Sequence, residues 1–448
     1  MSKNLLLIEL NECDFEFFLY GSKKYNYPLI KKFFSKKKKI DTFTKDKEEG
    51  FNLDPWVQWV SVHTGKLSQN HKVFRLGQKL DPNIDQIWDK LSKKNITSSI
   101  WGAFNANLRK NKNINLFFPD PWSFKENAFP KNLNAYLKLP RYYAQNYPNV
   151  KKLKTISLGI IFLINFIFTQ NLIFLCKKIP DFFKIFYTSK LKSFNLYFLL
   201  DLFSLIILKN NLKKKKSDLV IIGINSFAHY QHNYWNNKQY EKVYFWYLNE
   251  MLKIINNISK LYTSSIIFNG FSQKKIKNEF YLRPKEPKNF LDKLNLSYLS
   301  IEPNMTTGAI VKFKTFKEKN IAIKKIRSLK IYNYNIFEVE NFKNEKKIFY
   351  KFSLVSLKKE YDERSLEKKN YKLFFKKPLK STKNKILSKK NKIDIDKILR
   401  DTIFMKSSSK HVTKGKLFYS NFNFLKKSII KNKIHNIDIY KTILNHFN

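Results

Sequence analysis

Asp54-Pro55-Trp56-Val57-Gln58-Trp59-Val60-Ser61-Val62-His63-Thr64-Gly65 is the stretch whose reading decides the fold. Two tryptophans, an amide, an imidazole and a closing glycine stand together in a chain whose other polar positions are mostly lysine and asparagine. Val57, Val60, Ser61 and Thr64 recur at helical spacing, which predicts a helix with one face in a core. Trp56 and Trp59 read equally well as packing groups or as walls of a site.

Working outward, Leu5 to Leu10 is a short apolar run that breaks into Asn11-Glu12, the pattern of a central parallel strand delivering polar residues at its carboxyl end. Ligands of open α/β sheets bind at that edge. Thr97 to Trp101 is a second candidate strand, and the aromatic segment Phe117 to Trp122 a rigid loop. The clearest strand, Asp218 to Ile224, runs into Asn225-Ser226-Phe227-Ala228-His229-Tyr230-Gln231-His232, so two of the seven histidines lie within four positions at a strand's end. Lys238 to Lys260 predicts an amphipathic helix with Tyr244, Leu248, Met251 and Ile255 on one stripe. The strand Ser264 to Phe268 leads into Asn269-Gly270-Phe271-Ser272-Gln273, and Ser407 to Gly415 carries His411.

Composition bounds the partners. The net charge is +51, but only 7 of the 86 basic residues are arginine, the better reader of phosphates and base edges. The lysines are spread along the whole length without a recognised nucleic-acid motif, so nucleic acid is disfavoured as a partner. Cys13 and Cys176 are far apart and form no CxxC, which argues against a thiolate metal site or a disulfide framework and for a reducing compartment. The first apolar run is too short for a signal peptide and meets an acidic residue at once. A cytoplasmic location is expected, with contact at the inner face of the membrane left open.

Two very apolar stretches occupy the middle of the chain. Ile156 to Phe168 is shorter than the ~20 residues a membrane span needs. Phe194 to Leu208 carries Asp201 at its centre, which would cost on the order of 2.5–3.5 kcal/mol inside a bilayer. A helical insertion packed on the core is the preferred reading; the flanking lysines leave peripheral membrane contact as the alternative.

These stretches, in this order, resemble the alkaline phosphatase, sulfatase and nucleotide pyrophosphatase superfamily, in which a turn enters a helix that closes on Thr-Gly about ten residues later. The resemblance implies a three-layer α/β core with a mostly parallel sheet, a helical insertion and a small α+β insertion. The core would comprise residues 1–130, 217–280 and 395–448, with a helical cap over 131–216, an α+β subdomain over 281–356 and a lysine-rich connection over 357–394. It also implies an acidic metal ligand after the first strand, offered here by Glu9 or Glu12 and assigned to Glu9. Asn225 and His229 occupy the places of an Asp and a His that share a metal ion, and His411 matches a C-terminal histidine ligand. Two departures stand out. Pro55 occupies the nucleophile's place, and Gly270 and Phe271 replace the Asp-His pair of the second metal.

The resemblance, with these departures, implies a phosphoester or sulfoester hydrolase or transferase with a degenerate metal centre, acting on an anionic small-molecule, glycan or lipid-linked substrate. His229, His411 and Asp54 are the catalytic candidates, with an imidazole as general base because Pro55 offers no nucleophile. Gln58, Trp56, His232 and Gln273 are the candidate substrate-binding residues. Glu9, Asn225, His229 and His411 would hold at most one divalent ion, zinc, manganese or calcium, weakly. The alternative is a catalytically silent relative that binds an anionic glycan or a partner protein.

Overall fold

The computed structural model describes residues 3–45, 53–109, 111–146, 150–169, 172–303, 308–331, 334–335, 337–352, 402–425, 428–430 and 432–448. The chain divides into two units, Met1–Lys277 with Ser408–Asn448, and Asn278–Ser407.

The first unit is built on one sheet. Its strands are β1 (Leu5–Leu10), β2 (Lys38–Phe43), β3 (Ser98–Trp101), β4 (Ile114–Phe118), β5 (Leu219–Ile224) and β6 (Ser264–Phe268). After β6 the chain enters β7 (Ser272–Pro284), then β8 (Ser300–Pro303), β9 (Gly308–Lys312), β10 (Lys330–Ile331), β11 (Tyr334–Asn335), β12 (Phe337–Asn341) and β13 (Lys347–Phe352). It returns through β14 (Thr402–Val412), which pairs with β7, to β15 (Lys414–Ser420), β16 (Ile429–Ile430) and β17 (Lys433–His435). The sheet order is β16-β17-β2-β15-β6-β1-β5-β3-β4. The run from β6 to β4 is parallel throughout, whereas β15 is antiparallel to both its neighbours.

Strand alternation makes the sheet the middle of three layers. Leu6, Ile8 and Leu10 of β1 join one buried cluster with the helices α1 (Phe15–Lys24), α2 (Pro28–Ser35), α6 (Asn134–Asn146), α9 (Phe194–Lys214), α10 (Ser226–Tyr234) and α11 (Lys238–Ser259). Leu5 and Leu7 join the opposite cluster, with α3 (Pro55–Thr64), α5 (Ile87–Ser92) and α14 (Asp438–His446). This is the α/β architecture that the resemblance implied. Short α4 (Ser68–His71) follows α3, and α7 (Lys152–Thr169) and α8 (Leu172–Ser189) precede α9.

The helix α3 is buried at all ten positions. Pro55 opens it at a position where no amide hydrogen is needed, and Gly65 closes it at φ 64, a left-handed conformation suited to glycine. A Cβ at Gly65 would also lie 2.7 Å from the Tyr440 ring, so the closing glycine lets α14 sit against α3.

The two apolar stretches differ in fate. Phe198 and Leu202 of α9 are buried in the cluster with β1, so this part of the expected cap belongs to the core of the first unit. Asp201 is half-buried there, and its Oδ2 accepts the backbone amides of Asn225 and Ser226 at 3.2 and 2.9 Å, capping α10 from a neighbouring helix. The helix α7 extends four residues before and one residue beyond the expected apolar run and keeps most of its surface outward. By length and apolarity it could cross a membrane, with 11% of it buried.

The second unit contains a four-stranded antiparallel sheet, β12-β13-β9-β8, and the helices α12 (Pro287–Lys293) and α13 (Phe316–Arg327). Phe290, Val311, Ile326, Phe337 and Tyr350 form its own core. Thr315 and Glu318 cap α13 reciprocally. The lysine-rich connection expected over 357–394 lies outside the described residues.

Candidate functional site

The chain breaks out of β1 at Asn11-Glu12 with Glu12 at φ 56, a left-handed conformation uncommon for a residue with a side chain. Its backbone is held on both sides: Glu12 N donates to Asn269 O at 3.1 Å, and Gln273 N donates to Glu12 O at 3.1 Å. The loop after β6 therefore fixes where this carboxylate sits. Its Oε2 lies 2.9 Å from His232 Nε2 and 2.9 Å from His411 Nε2, and the two imidazole nitrogens are 3.4 Å apart. Gln273 Nε2 donates to the same oxygen at 2.7 Å, and Asn11 Nδ2 to Oε1 at 3.2 Å.

Three elements bring the group together. Glu12 comes from the end of β1, His232 from α10 and His411 from β14. Ser408 fastens the last two: its Oγ lies 2.8 Å from Gln231 O and accepts from Trp235 N at 3.0 Å.

Ser409 sets the tautomer of His232. Its hydroxyl donates to Gln273 Oε1 at 2.7 Å, so its oxygen is left to accept from His232 Nδ1 at 3.1 Å. With the proton on Nδ1, neutral His232 presents a bare lone pair at Nε2. His411 has its Nδ1 on the side of Asp54, whose Oδ1 is 3.9 Å away, and interacts with the backbone of Leu53. Its Nε2 faces inward.

Glu12 Oε2, His232 Nε2 and His411 Nε2 lie within 4.8 Å of one another, a group able to hold a metal ion. Separations of 2.9, 2.9 and 3.4 Å approach the ~3.3 Å ligand-to-ligand edge of a tetrahedral site with ~2.0 Å bonds. The donor set and the tautomer both fit a cation. Burial alone would push the Glu12 carboxyl up, but the His411 and His232 imidazoles outweigh it and hold it well below the ordinary range. Burial disfavours charge on His411, yet the Glu12 carboxylate prevails and raises its pKa.

Glu9 is not part of this group. It follows Leu5 and Leu7 in strand alternation, so its side chain lies on the α3 face, where Oε1 is 2.6 Å from His63 Nε2 and both residues are buried. The carboxylate at the site is thus Glu12 rather than Glu9. Trp56 is a packing residue: it is buried and its indole N–H donates to Phe74 O at 3.3 Å. Gln58 is likewise buried within α3.

Asn225 and His229 pair with each other instead of joining the three donors. Trp59 Nε1 donates to Asn11 Oδ1 at 2.7 Å, Asn11 Nδ2 to Asn225 Oδ1 at 2.7 Å, and Asn225 Nδ2 to His229 Nε2 at 3.1 Å. Each acceptor in this chain already has a hydrogen, so the lone pair of His229 is engaged. Its ring stacks on Tyr197 at 4.4 Å, and burial, with some repulsion from His232, pushes its pKa down to about 4. Gly270 and Phe271, which stand where the resemblance expects an Asp-His pair, offer no donor side chain. Gly270 has φ 73, and a Cβ there would come within 3.2 Å of the Trp59 ring; Phe271 lies edge-on to His411 at 5.1 Å.

Ser61 and His71 form a buried pair 3.0 Å apart, the spacing of a nucleophile and its base. Val73 N donates to His71 Nδ1 at 3.0 Å, however, so neutral His71 carries its proton on Nε2 and donates to Ser61. That excludes the pair as an activated nucleophile in this arrangement.

Sequence reading missed Asn11 and Ser409, which orient the site without being conspicuous in the chain. It also gave His232 to substrate, whereas the structure places it beside the carboxylate. Glu12 was visible as the other acidic residue after β1.

The fold and the site thus define a three-layer α/β protein with a Glu-His-His group at the carboxyl edge of its parallel strands. Similar solved structures include murine ectonucleotide pyrophosphatase/phosphodiesterase 5, at 10% identity and a TM-score of 0.46, covering 100% of this chain and 95% of that one. The human protein of the same name has 9% identity and a TM-score of 0.42, with 100% and 95% covered. Phosphonoacetate hydrolase from Sinorhizobium meliloti 1021, solved with phosphonoacetate, has 7% identity and a TM-score of 0.42, with 100% and 96% covered. No protein-family model and no curated protein matches the chain. Likeness at this level transfers neither activity nor ligand.

Proposed function

We propose that this protein is a phosphoester hydrolase or transferase with one metal site, in which Glu12, His232 and His411 hold a single divalent cation. The convergence of three lone-pair donors, with the His232 tautomer set by Ser409, is the observation that carries the reading. Two imidazoles and one carboxylate suit zinc or manganese; calcium prefers an all-oxygen shell, so it drops from the candidates. When bound, such an ion would polarise an ester oxygen and stabilise the charge that develops on it.

The chain's own residues assign the remaining roles. Pro55 at the start of α3 offers no nucleophile, so the attacking group is water or an acceptor hydroxyl. The Nε2 of His229 already accepts from Asn225, which removes it as general base. Asp54, at the N-cap of α3 with its carboxylate near His411, is the group placed to take the proton. The positive end of the α3 dipole favours an anionic group beside it. Gln273 and Ser409 keep Glu12 and His232 in place.

A panel of phosphate and sulfate esters, glycan- and lipid-linked ones included, incubated with the full chain and zinc or manganese and read by mass spectrometry, tests the reading. Product from the native chain, its loss in Glu12→Gln and a strong fall in Asp54→Asn are expected, with no covalent adduct on the protein. Turnover that survives Glu12→Gln unchanged would overturn it. Metal binding without turnover of any ester would favour the silent, anion-binding relative.

A further inference from the structure

Twelve of the large apolar side chains exposed among the described residues lie between Leu153 and Leu191. On α7 they form a single face: Leu153, Ile156, Ile160, Ile164 and Ile167 recur every three to four residues, and Leu153 and Phe168 are each 84% exposed. The opposite face is anchored. Phe162 and Phe166 are buried, the Phe166 ring packs tilted against Phe203 of α9 at 4.8 Å, and Tyr136 of α6 donates to Asn165 O at 3.1 Å. On α8, Ile179, Phe183 and Tyr187 form a second exposed stripe, continued by Leu191. Soluble monomers rarely leave contiguous apolar surface of this extent without a use for it.

The charge around these stripes is of one sign. Residues 151–192 contain eight lysines and a single carboxylate, Asp181, which is itself paired with Lys178 at 3.2 Å. Lys151, Lys152 and Lys154 flank the start of α7, while Lys177, Lys184, Lys190 and Lys192 border the α8 stripe. We propose that the outer face of α7 and α8 is a membrane-docking surface that seats in the headgroup region of an anionic lipid bilayer. Apolar side chains would enter the acyl boundary while lysines meet lipid phosphates.

Two observations select this occupant. The helix α7 is long enough to span a bilayer, but it is fixed to α6 and α9 along its inner face, so it lies on the bilayer and does not cross it. A second copy of the chain would bring one lysine-bordered face against another, which like charges oppose.

Cys176 is exposed on α8 and Cys13 is buried, so the native chain takes a polarity-sensitive thiol fluorophore at one place. Flotation with phosphatidylcholine vesicles containing phosphatidylglycerol should recover the full chain, and binding should fall steeply as salt is added or the anionic lipid is removed. The fluorophore should shift to the blue and be quenched by spin labels near the headgroup more than by labels at the bilayer centre. Ile160→Asp and Ile164→Asp should each weaken partition about tenfold, while Ile321→Asp, at an exposed position on α13, should leave it unchanged. Circular dichroism confirms folding of each variant, and Leu153→Asp, near the helix end, serves if one of the others unfolds. Failure to float with anionic vesicles, equal flotation of the α7 variants, or stronger quenching from the bilayer centre would overturn the proposal. So would a salt-resistant dimer in sedimentation velocity that Ile160→Asp abolishes.

Discussion

Two halves of one sheet edge carry similar residues to different ends. Around Glu12, a carboxylate and two imidazoles turn lone pairs toward a common point, with Ser409 and Gln273 behind them. Around Asn225, one indole and two amide N–H groups meet every acceptor in sequence from Trp59 to Asn11 to Asn225 to His229. Both halves contain a histidine within α10, yet only His232 turns its Nε2 toward the point shared with Glu12 and His411. What separates a candidate ligand from a structural histidine here is the proton on the far nitrogen and the partner that fixes it.

The difference breaks most visibly at Glu12. Glu12→Ala should weaken binding of zinc or manganese by more than about 100-fold, beyond the loss usual for supporting partners, as read by isothermal titration. Ser409→Ala leaves all three donors in place but releases the His232 tautomer, and a loss of about tenfold is expected. His229→Ala should change metal affinity by less than about threefold, since its lone pair is already taken. A large loss there would mean that Asn225 and His229 turn toward the ion after all, and the distinction between the halves would fail.

A pH titration sharpens the same comparison. Burial pushes His229 to about 4, so its imidazole resonances should titrate near there and not near the ordinary 6.5. Between those values the unfolded chain binds the proton and the folded chain does not. Stability should therefore fall as pH drops from the ordinary histidine range toward 4, and this contribution should vanish in His229→Ala. Asn225→Asp would set a carboxylate beside the ring and should move the His229 midpoint upward. At the smallest scale, Asp201→Ala removes the cap from the first amides of α10 and should cost about 1–2 kcal/mol in chemical denaturation.

Much of this edge was legible in the sequence, because short apolar runs that end in polar residues mark parallel strands at their carboxyl ends. The runs at Leu5, Asp218 and Ser264 all became neighbours in the sheet, and the stretch from Asp54 to Gly65 became the buried helix beside them. The choice between Glu9 and Glu12 was open to strand parity, which puts Glu9 with Leu5 and Leu7 and so against α3. What turned Glu12 inward was not: a left-handed backbone at a glutamate and two hydrogen bonds from a loop some 260 residues away leave no local pattern. His229 outranked His232 in the sequence reading because its spacing from Asn225 matched the superfamily, and only the order of donors along the amide chain reverses that ranking. The helix α7 ran longer than its apolar segment because Lys152 and Lys154 joined its first turn.

Titration of the metal-free full chain with cobalt(II), followed by its visible absorption, tests the central claim most directly. The Glu12, His232 and His411 group requires an endpoint at one equivalent per chain, a spectrum of low-coordinate nitrogen and oxygen ligation, and loss of that spectrum in His232→Ala but not in His229→Ala. An endpoint at two equivalents, no specific binding, or a His232→Ala chain that binds cobalt as the native one does would contradict it.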